Sequence, residues 1–131
     1  MQGIYHDPEY PDLVWMEFNG PTWNEFHTLF AELETFNAAA EVEYFLAFYP
    51  TVDMPRGAPL NHIRQLISFL NNEPKVLGMV TVMPRHMIIA KTFADLVGRI
   101  FPASTPSSIV MSKEDVYEAY LKLAGKVREH E

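Results

Sequence analysis

Cysteine is absent from the 131 residues. Its absence excludes a disulfide scaffold, a cysteine-ligated zinc or iron–sulfur site and a thiol nucleophile. Glycine is sparse, with six in all, and no Gly-rich loop follows a predicted strand. The glycines of Arg56-Gly57-Ala58 and of Val76–Met79 stand singly, so neither a dinucleotide fingerprint nor a P-loop is present. A G-x-S-x-G nucleophile elbow is missing too. The five histidines, His6, His27, His62, His86 and His130, lack the i, i+4 partner that would supply two metal ligands from one helix face. No metal or other cofactor is expected. The longest apolar runs, near 44–52 and 76–84, fall short of the ~18 residues of a membrane span. MQGIYHDPEY has neither the basic nor the apolar region of a signal peptide. The expectation is one soluble, cytoplasmic domain covering 1–131.

Basic residues are missing from one half of the chain. Residues 1–55 hold ten acids and no Lys or Arg, whereas 56–131 hold ten basic residues against seven acids. The halves carry −10 and +3 within an overall −7, a balance that speaks against nucleic acid as a partner. Twelve of the seventeen aromatic side chains lie before residue 50. An acidic segment with so many rings to bury is no disordered tail.

What is present alternates. Leu13–Phe18 is an apolar run bounded by Pro11-Asp12 and the Asn19-Gly20-Pro21 breaker, and it predicts a strand. Val14, Met16 and Phe18 share one face; Leu13, Trp15 and Glu17 share the other. Residues 3–6 can form a short partner strand, with DPEYPD as the turn. Thr22 and Glu25 form a capping box ahead of Trp23, Phe26, Leu29, Phe30, Leu33 and Phe36, which recur at helical spacing over 22–38. YFLAFY (44–49) and VLGMVTVM (76–83) are apolar on both faces, as central parallel strands are. Further helices are predicted from Pro59 to about residue 70 and over 86–101. A short strand at 108–111 precedes a second capping box, Ser112 and Asp115, and a last helix with Val116, Ala119, Tyr120, Leu123 and Val127 on its apolar stripe. The expected fold is α/β: a four- or five-stranded, mostly parallel mixed sheet with about four helices.

In such a sheet ligands sit outside the carboxyl ends of the strands. Those ends bring Thr51, Asp53, Arg56, Arg85 and His86, a candidate site for a small anion or acidic peptide. The alternative is that these are solvated loop charges. Asp53 and His86 could form an acid–base pair, but no activated nucleophile stands beside them, so an enzyme is not expected. Glu17, a lone acid on a strand, suggests that the outer face of Leu13 and Trp15 is open and pairs with a symmetry mate in a homodimer. The alternative is that the last helix covers Trp15 and leaves a monomer.

The order of elements, together with FNGPTWNEF (18–26), PLNHIRQLISFL (59–70), VLGMVTVMP (76–84) and a short last strand before the closing helix, resembles the STAS-like, or SpoIIAA-like, group. The resemblance is to its small stand-alone bacterial members, whose fold is related to the CRAL-TRIO domains. It implies a superhelical βα fold and one of two roles: a non-catalytic module acting through protein–protein contact, or a carrier of a small apolar ligand or lipid. In the first branch a Ser or Thr is phosphorylated where this chain has Gly57 or Ala58, and neither carries a hydroxyl.

Overall fold

The structure, a computed structural model, describes residues 3–19, 22–51, 75–84 and 106–129. Five strands form one sheet in the order of the chain: β1 (Ile4–His6), β2 (Leu13–Phe18), β3 (Tyr44–Pro50), β4 (Val76–Val82) and β5 (Ser107–Val110). β1 runs antiparallel to β2, and the other three pairings are parallel. The mixed α/β sheet is as expected. Two helices are described, α1 (Trp23–Ala39) and α2 (Asp115–Glu129). The helices expected near 59–70 and 86–101 lie outside the described residues.

The strands are where they are because their side chains can be buried on both sides. Every residue of β2 is buried. Val14, Met16 and Phe18 meet Leu46, Phe48 and Tyr44 of β3 under Phe26, Leu29, Phe30 and Leu33 of α1. On the opposite face Leu13 and Trp15 join Phe45, Ala47, Val80 and Val82 beneath Val116, Ala119, Tyr120 and Leu123 of α2. A one-residue slip of β2 would exchange these two sets, which fixes its register. Gly78 permits the closeness of β4 to its neighbours. A Cβ there would lie 3.1 Å from the Phe45 ring and 3.2 Å from the Pro106 carbonyl oxygen.

The predicted start of α1 is used. The Glu25 amide donates to Thr22 Oγ1 at 3.2 Å, which satisfies one of the donors that a helix leaves open at its first turn. At α2, which begins at Asp115, the expected pair Ser112 and Asp115 meets only side chain to side chain, the hydroxyl donating to the carboxylate at 2.9 Å. Among the described residues no helix is long and apolar enough to cross a membrane.

Candidate functional site

The polar chemistry of the described residues collects where the β1–β2 hairpin meets α2. Asp7 sits in the hairpin turn, yet it is buried. Its Oδ1 accepts from the Trp15 indole N–H at 2.9 Å and from the Tyr117 hydroxyl at 2.8 Å. Its Oδ2 accepts from the amides of Glu9, at 2.9 Å, and Tyr10, at 3.1 Å. The four acceptor positions of a carboxylate are thus filled. Burial alone pushes the Asp7 carboxyl up, but these four donors outweigh it and hold the group below the usual carboxylate range. The same bond pushes the Tyr117 phenol up to about 12, helped by its own burial.

A second acid–tyrosine bond lies beside the first. Tyr120 donates to Asp12, and the Tyr10 ring packs at 6.0 Å from that of Tyr117 and 5.1 Å from that of Tyr120. Glu17, the lone acid of β2, is satisfied in the same manner: Tyr5 donates to its Oε1 at 3.4 Å and Asn19 to its Oε2 at 3.3 Å. Burial, followed by the Glu17 charge, moves the Tyr5 phenol up to about 12. Lys113, just before α2, lies 5.2 Å from the centre of the Trp15 ring and 5.3 Å from that of Tyr49, close enough for cation–π attraction.

This cluster is an anchor. With every lone pair of Asp7 occupied, the carboxylate has no position left from which to take a substrate's proton. What it does is tie the indole of β2 and a phenol of α2 to one turn.

Of the residues put forward for a strand-end site, Asp53, Arg56, Arg85 and His86 lie outside the described residues. Thr51 is described and has a structural role: its amide donates to the Phe18 carbonyl at 2.8 Å and its hydroxyl to the same oxygen and to Asn19, which ties the ends of β2 and β3 together. The open face expected around Leu13 and Trp15 is corrected. They are 0% and 1% exposed because α2 lies over them, so they are interior residues of a single chain, and Glu17 is buried with its partners named above. No group of metal-ligating side chains occurs among the described residues.

Large exposed apolar side chains are scattered over the described residues, Val42 at 67% and Leu121 at 52% among them. Ile109 of β5 is 49% exposed and Met111 55%. Both line a groove of about 390 Å³ between β5 and α2, whose helical wall carries Asp115, Glu118, Lys122 and Lys126. Sequence reasoning missed this groove, although a short strand of Ser and β-branched residues beside a helix edged with charge was there to be read.

The comparisons with known proteins return no match: no family model fits the chain, and neither a curated protein nor a solved structure is similar to it.

Proposed function

We propose that this chain is a non-catalytic binding module of the STAS-like type, acting through protein–protein contact. The observation that carries the reading is the β5 edge, which borders an open groove on α2, carries half-exposed Ile109 on the face away from α2 and is followed by exposed Met111. An exposed sheet edge beside apolar side chains is a template for a further chain. The strictly sequential order of the parallel strands, β2 to β5, supports the fold side of the reading, because a βα superhelix adds its turns one after another.

Native mass spectrometry of the purified chain tests it. The expected spectrum contains protein only, as the chain itself or in a stoichiometric protein complex. A retained apolar molecule at one copy per chain would replace the module with a carrier.

A further inference from the structure

We infer that β5 pairs with β5 of a second copy of this chain, antiparallel and about a twofold axis, so that the two sheets join and the two α2 helices lie side by side. The inference rests on the protein-contact reading and names its partner.

The backbone of β5 is set up for such pairing. Residues alternate along a strand, and the carbonyls of Pro106 and Val110 turn toward β4, where they accept from the amides of Met79 and Met83. The polar groups of Ser107 and Ile109 therefore point the other way, and no strand lies beyond them among the described residues. Sheet edges are ordinarily blunted by a lysine, a proline or a bulge. Ser107–Val110 is short, at four residues, but carries no lysine, proline or bulge, and it presents Ile109 half-exposed.

The helix beside the strand chooses the occupant. α2 packs over β4 and β5. Strands pair about 4.8 Å apart, so a twofold axis at the β5 edge, perpendicular to the sheet, sets the two α2 helices on the same face of the joined sheet, antiparallel to each other. Along the groove α2 presents Asp115, Glu118, Lys122 and Lys126 in that order, acidic at one end and basic at the other. Glu118 and Lys122 already pair within the helix at 3.2 Å. Asp115 and Lys126 have no ion-pair partner among the described residues. A twofold axis sets helices antiparallel and brings Asp115 of each copy to Lys126 of the other, whereas a parallel arrangement would set acid against acid. The pattern is self-complementary, as an isologous interface requires.

Sedimentation equilibrium of the full chain tests the pairing, with circular dichroism confirming that each variant is folded. The expected mass at high concentration is twice the 15.1 kDa of one chain. Ile109→Lys should weaken dimerisation by about tenfold or more, the scale on which a buried apolar anchor acts. Asp115→Lys and Lys126→Asp should each weaken it, and the two together should restore it; both positions are on the helix surface, so the exchange leaves the core intact. A constant single-chain mass, or a dimer indifferent to all four variants, would overturn the pairing. Should the mass stay that of one chain, native mass spectrometry separates the remaining readings: a stoichiometric protein of another sequence removes the twofold pairing alone, and a retained apolar molecule removes the protein-contact reading with it.

Discussion

The two faces of the sheet are built from different chemistry. Among the described residues the contacts under α1 are almost wholly apolar, and the Tyr44 hydroxyl donates to Asn37 at 2.8 Å within them. Under α2 the packing is just as close, but acids and hydroxyls run through it: Asp7 with Trp15 and Tyr117, Asp12 with Tyr120, Glu17 with Tyr5. Apolar burial is non-directional and tolerates exchange of like for like, whereas a buried carboxylate accepts only donors placed around it. The first face is held by apolar packing, and the second adds directional hydrogen bonds that tie α2 to the β1–β2 turn.

The sharpest way to break this contrast is to compare one deletion on each face. Leu46→Ala, at a fully buried position against α1, should cost about 2–5 kcal/mol by urea unfolding, with no change between neutral and acidic pH. A cost that varied with pH would mean that the apolar face is coupled to a titrating group.

Asp7→Ala comes next, at about 2 kcal/mol at neutral pH, because it strands the Trp15 N–H and the Tyr117 O–H and water can replace only part of what they lose. Its cost should depend on pH. The folded carboxyl lies below its unfolded value, so the stabilisation is present above the unfolded pKa of ~3.9 and disappears as pH falls through the folded one. The gap between the two proteins should therefore close in acid. At the alkaline end the sign reverses: Tyr117 is raised from 10.0 to about 12, so its contribution is complete below pH 10 and lost as pH climbs toward 12. A gap of constant size from acid to alkali would deny Asp7 its charge.

The smallest effect belongs to Lys113→Met, which keeps the length of the side chain and removes the cation from Trp15 and Tyr49. About 0.5–1 kcal/mol should be lost. A loss several times larger would show that the lysine holds more than two rings.

Much of the architecture was legible, because strand and helix periodicity are local properties. β2, β3, β4 and the start of α1 follow from runs and a cap within a dozen residues. The anchor was not legible. DPEYPD reads as a turn, and turns are full of Asp for reasons of their own backbone; nothing near Asp7 announces that its partner Tyr117 is 110 residues away. Glu17 misled in part for a related reason: a single acid in an apolar strand resembles a solvent mark, and although Asn19 is two residues away, the Tyr5 that also satisfies it comes from β1. Two signals did point the right way. A buried indole N–H requires an acceptor, and the stripe of Val116, Ala119, Tyr120 and Leu123 needs an apolar surface, which the face of Leu13 and Trp15 supplies.

The 110-residue separation between Asp7 and Tyr117 also sets a clock. Ribosomes add roughly 5–20 residues per second, so roughly 5–20 s pass between the synthesis of the carboxylate and that of the phenol that completes its shell. For that interval the nascent hairpin carries Trp15 and Leu13 with no lid, and the indole has its acceptor but the acceptor lacks its last donor. α1 can dock on its own face as soon as β3 has emerged. The α2 face is therefore completed after the α1 face, and the buried Asp7 waits longest for its last donor.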